Sequence, residues 1–180
     1  MKKLKIILIP VLILFTIFLS CERDDLCSDD TSTTAHLYMQ FYNSANTENL
    51  KNVLNFRAQG VDNDAVLSDY DVVTANSVYL PLKTTETSTQ FKLHNDYSIN
   101  DNGTPDDDTD DYVDGNEDII TIHYVTKLEY VSKACGYKTV FENVTISIED
   151  DGDKWIDYIL STTDNEPISN EDEAHFNLFH

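Results

Sequence analysis

The residues best suited to chemistry are three cysteines and one run of aspartates and asparagines. Cys21 follows Phe18-Leu19-Ser20, a string with the form apolar, tolerant, small, Cys that a lipoprotein cleavage site requires. Only a thiol can become the thioether to diacylglycerol, so Cys21 is the expected lipidation point. An ordinary secretory cut after Ser20 would place bulky Phe18 where a small residue is needed. The remaining pair, Cys27 and Cys135, is even in number and would sit in an oxidising compartment. A Cys27–Cys135 disulfide is its simplest use, with free or intermolecularly paired thiols as the alternative.

Asn100-Asp101-Asn102-Gly103-Thr104-Pro105-Asp106-Asp107-Asp108-Thr109-Asp110 offers oxygen ligands of the kind calcium takes. Asn100, Asn102, Asp106, Asp108 and Asp110 are the candidates. The EF-hand spacing fails because Asp111 stands where glycine is required, and a solvated acidic hairpin loop is the simpler reading. His36, His94, His123, His175 and His180 show no metal-binding spacing and are expected on strand surfaces or at interfaces. No nucleophile elbow, P-loop or dinucleotide fingerprint is present. The acidic residues are too many for a catalytic pair to be chosen among them. No catalytic residue and no cofactor other than calcium is therefore expected. Ten tyrosines could form a sugar-binding platform, although strands favour tyrosine anyway.

These groups need elements to hold them. Lys2, Lys3 and Lys5 precede a 14-residue run, Ile6 to Leu19, that is apolar except at Pro10 and Thr16. That is short of the roughly 20 residues a spanning helix needs and fits a signal peptide. Residues 1–20 are thus read as a lipoprotein signal, 21–34 as a lipidated acidic tether, and 35–180 as one domain with an acidic loop at 98–118. Within the domain, Leu37, Met39 and Phe41 alternate. So do Leu54, Phe56 and Ala58, residues Thr89 to His94, the set Ile120, Ile122 and Tyr124, and the set Ala174, Phe176 and Leu178. Asn43 to Asn49 reads as a turn, Ala65–Leu67 as a short strand, and Pro81 points its strand toward a sheet edge. Trp155–Leu160 reads as a strand with Trp155 as a core anchor. Eight or nine short strands with polar turns predict an all-β fold. The expected architecture is a two-sheet antiparallel β-sandwich, Ig-like, without the immunoglobulin cysteine and tryptophan signature.

Charge narrows the partners. The chain has 12 basic and 33 acidic residues, and three of the basic ones lie in the signal, so the mature chain carries 9 − 33 = −24. Such a field repels nucleic acid and anionic lipid; it would attract divalent cations or basic proteins, and solubility is the simpler reading. The expected partners are the membrane, through the lipid, and a protein or glycan of the envelope.

Several segments together resemble a family. They are Cys21-Glu22-Arg23-Asp24-Asp25-Leu26-Cys27, Leu37-Tyr38-Met39-Gln40-Phe41-Tyr42, Tyr130-Val131-Ser132-Lys133-Ala134-Cys135-Gly136-Tyr137-Lys138, Lys154-Trp155-Ile156 and Glu173 to His180. The chain resembles an uncharacterised lipoprotein family of Bacteroidetes, the domain of unknown function 6452. That resemblance implies an envelope lipoprotein and supplies no activity. Glu22, Arg23, Asp24 and Asp25 also resemble a Bacteroidetes surface-export signal, which implies outer-membrane attachment, with the pose toward the cell exterior or interior left open. Three functions follow as expectations: a non-catalytic binding or envelope-structural module, a calcium-stabilised adhesion or scaffold module, and a hydrolase with unrecognised carboxylates.

Overall fold

A computed structural model gives the architecture. It describes residues 26–28, 31, 33–164 and 166–180. The signal segment, Cys21 and the export residues Glu22, Arg23, Asp24 and Asp25 lie outside the described residues. Among those described, no helix is long and apolar enough to cross a membrane.

The fold is all-β: among the described residues, ten strands form two sheets packed as a sandwich. The first sheet contains β1 (Leu37–Asn43), β2 (Asn46–Leu50), β5 (Ser77–Leu80), β9 (Tyr158–Ser161) and β10 (Phe176–Phe179). Its order is β2-β1-β10-β9, with β5 pairing β1 as well. The second sheet contains β3 (Val53–Gly60), β4 (Val73–Ala75), β6 (Ser88–Asn100), β7 (Tyr112–Ser132) and β8 (Gly136–Ile148), in the order β4-β3-β6-β7-β8. The chain divides into two compact units. Thr33–Leu128 with Thr139–His180 is the sandwich, and Glu129–Lys138 with the described part of Met1–Ser32 is the smaller one.

Alternation builds the core as the pleat requires. Leu37, Met39 and Phe41 of β1 are fully buried, as are Leu93 of β6, Ile120 and Ile122 of β7, and Leu178 of β10. Tyr124 completes the β7 row, its hydroxyl within 2.6 Å of Thr89 Oγ1 and 2.8 Å of the Lys83 carbonyl. Its polar end is thereby satisfied inside the core.

The structure departs from the sequence reading at identifiable points. Leu54 does not share a face with Phe56. It is 55% exposed while Val53 is 1% exposed, because Asn55 adopts φ 44° and the β3–β4 register shifts between Val53 and Phe56. A bulge moves the residues before it to the opposite face. In place of a strand at Ala65–Leu67 there is a single bridge from Val66 to Gln59, followed by a 3-10 turn over Ser68–Tyr70. Trp155–Asp157 is not strand. The Ile156 N–H is taken at 2.7 Å by the buried Asp118 carboxylate, so it is lost to a ladder, and β9 begins only at Tyr158. Trp155 is half-buried against the core and donates its indole N–H to the Leu93 carbonyl at 2.9 Å. The segment read as a turn at Asn43 to Asn49 holds the start of β2. The acidic loop is also shorter than 98–118, since β6 runs to Asn100 and β7 starts at Tyr112. Finally, one pairing is parallel, β1 with β10.

Candidate functional site

The outward face of the first sheet carries an aromatic row, in which Phe179 is covered by its neighbours and 5% exposed. Register aligns Tyr38 of β1 with Tyr79 of β5, and Tyr42 of β1 with Phe179 of β10, which in turn faces Tyr158 of β9. Pleating then sends all five side chains away from the core face that holds Leu37, Met39 and Phe41. Tyr38 and Tyr79 stack with centroids 4.4 Å apart. Tyr158 stacks on Phe179 at 4.6 Å, and Tyr42 lies 5.7 Å from the same ring. Gln40 joins the two groups: its amide donates to the Tyr38 hydroxyl at 3.0 Å and accepts from the Tyr42 hydroxyl at 3.2 Å. Leu160, 53% exposed, and Asn177 extend the Gln40 row across β10 and β9. This strip has no charged side chain, on a chain whose surface is otherwise strongly acidic. Burial, reinforced by the adjacent Tyr38, pushes the Tyr79 phenol up, so it presents a neutral hydroxyl.

A second constellation sits on the outward face of the other sheet. Arg57, His94 and Glu117 form one cross-strand row over β3, β6 and β7. They line a shallow cavity of about 350 Å³ with Lys92 and Tyr97. Its charges are already paired. Arg57 Nε lies 3.3 Å from Asp71 and its guanidinium 4.3 Å over the Tyr97 ring. Glu117 reaches Lys92 at 3.3 Å and His94 Nε2 at 2.9 Å. His94 was expected at a strand surface, and its side chain is only 8% exposed beneath this network. Burial pushes its pKa down, with Glu117 opposing. The arrangement is self-neutralising, which suits the fixing of a sheet face better than the capture of an ion.

The predicted site residues fall out as follows. Cys27 and Cys135 are bonded, S–S 2.04 Å and Cα–Cα 4.9 Å, closing a separation of 108 residues. Asn100, Asn102 and Asp110 meet across the acidic loop, but through hydrogen bonds to one another. The Asn100 side chain accepts from the Asn102 N–H at 3.0 Å, and the Asn102 amide donates to Asp110 at 3.1 Å. The Thr104 hydroxyl lies 2.8 Å from the Asp110 carboxylate. These bonds from Thr104 and Asn102 hold the Asp110 carboxyl below its ordinary range. Asp106 and Asp108 are exposed. Among the described residues, no three His, Cys, Asp or Glu side chains gather as a metal-holding group.

His175 and His36 make contacts within the frame, while His123 is exposed. His175 Nδ1 accepts the Tyr38 N–H at 3.0 Å, so Nε2, 3.0 Å from the Asn170 carbonyl, is the donor and the ring is held neutral. His36 places both its N–H and Nδ1 2.6 Å from Glu171 Oε1. Among carboxylates, burial pushes Asp118 up, partly offset by the Ile156 N–H. Asp118 is 1% exposed, and its Oδ2 holds the Ile156 N–H at 2.7 Å. Sequence reasoning noted the tyrosines but could not assemble the aromatic row. Its members lie on four strands, and only the register brings Tyr42, Phe179 and Tyr158 together.

No curated protein and no solved structure matches the chain. A family model matches residues 55–180, and it describes a family of unknown function. That match spans most of the chain, from within β3 through β10 and including Cys135, and the protein accordingly belongs to the family of unknown function DUF6452.

Proposed function

We propose that the protein is a lipid-anchored module of the bacterial outer membrane that binds an envelope partner and performs no catalysis. The observation that carries the binding reading is the uncharged aromatic strip of Tyr38, Tyr79, Tyr42, Phe179 and Tyr158 with Gln40 between them. Rigid aromatic side chains with polar tips supply large contact area at low entropic cost, as interfaces favour. Cys21 as the lipid attachment and the short segment to Cys27 support the anchored placement. Two or three acyl chains at about 0.8 kcal/mol per buried CH₂ would make attachment effectively permanent.

The test is crosslinking and recovery from intact cells, comparing the native chain with Tyr158→Ala/Leu160→Ala. Both side chains are at least one-third exposed, at 36% and 53%, so the fold should tolerate their loss. A specific partner recovered by the native chain and lost by the variant, with melting unchanged, is the expected result. Equal recovery by both chains would place binding elsewhere.

A further inference from the structure

The smaller unit exposes several large apolar and aromatic side chains. In Glu129–Lys138, Tyr130 is 59% and Tyr137 65% exposed, and their rings meet edge to face at 5.4 Å. Leu26, beside the bridged Cys27, is 84% exposed. Lys133 is exposed at the turn, and Lys138 lies 3.5 Å from Glu129. Two lysines against one glutamate give Glu129–Lys138 a net positive charge, on a mature chain of −24. Exposed tyrosines, an exposed leucine and lysines are the composition of a segment seated at a membrane–water interface.

Chain length selects the occupant. Six residues separate Cys21 from Cys27, a reach of at most about 20 Å. The disulfide ties Cys27 directly to Cys135. We infer that the tip of the β7–β8 hairpin is a second membrane contact: Tyr130 and Tyr137 seat at the headgroup level of the bilayer that holds the lipid, with Lys133 facing lipid phosphate. This inference rests on the lipid-anchor reading of Cys21.

The experiment uses the lipidated mature protein in phosphatidylethanolamine–phosphatidylglycerol vesicles containing acyl-brominated phosphatidylcholine. A Tyr137→Trp variant reports depth, with the native chain giving the background from Trp155. Intact-mass measurement of the same samples reports whether Cys21 carries lipid. With lipid present, the variant's added emission should be quenched by the bromines, while the Trp155 background is not, as for an interfacial aromatic. The doubly substituted Tyr130→Ser/Tyr137→Ser protein should keep its melting temperature and become more accessible to protease at the hairpin on vesicles. Lipid present with no added quenching overturns the tip contact and leaves the anchor standing. An unlipidated Cys21 overturns the anchor itself, and the tip inference with it. A dimer that depends on Tyr130 and Tyr137, with no quenching, would overturn the membrane contact in favour of a second copy.

Discussion

Replacing Cys27 and Cys135 together by serine gives a prediction whose size follows from where the chain is held. The bond closes 108 residues. If the native state were unchanged by losing the bond, loop-closure entropy would set the cost at about 4.8 kcal/mol. For a sandwich of about 140 residues, that corresponds to a fall in Tm of about 16 °C. Any freedom that the Cys27 segment gains in the folded state when the bond is removed makes the fall smaller. Calorimetry of the oxidised native chain and the Cys27→Ser/Cys135→Ser variant measures it. A fall of up to about 16 °C is expected, and an unchanged or higher Tm would show that the bridge does not act by constraining the unfolded chain.

Other expectations follow from named contacts. Gly115 has φ 100°, and a Cβ there would lie 2.6 Å from the Asp96 carbonyl oxygen, so Gly115→Ala should cost at least about 1–3 kcal/mol in urea unfolding. Burial raises the Asp118 pKa, so the folded chain holds that proton more tightly than the unfolded one. Its contribution is most favourable in acid and declines as pH rises above the unfolded value of about 3.9, a decline that Asp118→Asn should flatten in a pH series of unfolding curves. His175 runs the opposite way. Burial lowers its pKa, so its contribution is full above the unfolded value of about 6.5 and is lost as pH falls toward the folded one. His175→Gln, whose amide can still accept from Tyr38 and donate to Asn170, should weaken that acid sensitivity.

How much of this could be read from sequence depended on whether the signal was local. The β1, β6 and β7 faces were legible because Leu37, Met39 and Phe41, then Phe91 and Leu93, then Ile120, Ile122 and Tyr124, alternate without interruption. The face of β3 was misread because Asn55 takes a positive φ in mid-strand, and the same thing recurs at Asp96 and Asn143. Asn and Asp enter that conformation more readily than other side chains, but in a chain so rich in both the residue type alone does not mark the position. Trp155–Asp157 looked like strand because its apolar pattern is real. What ends the strand is a carboxylate 38 residues away. The parallel β1–β10 pairing and the aromatic row it creates are non-local in the same sense. The disulfide, in contrast, was reachable by counting, since once Cys21 is assigned to lipid only one pair is left.

Everything proposed about placement starts at Cys21. The most direct test is mass spectrometry, without reduction, of the mature protein extracted from its native membrane. The account predicts a chain beginning at Cys21, carrying diacylglycerol in thioether linkage, with Cys27 and Cys135 recovered as one bridged peptide. A chain that retains Met1, or one with a free thiol at Cys21, would contradict it.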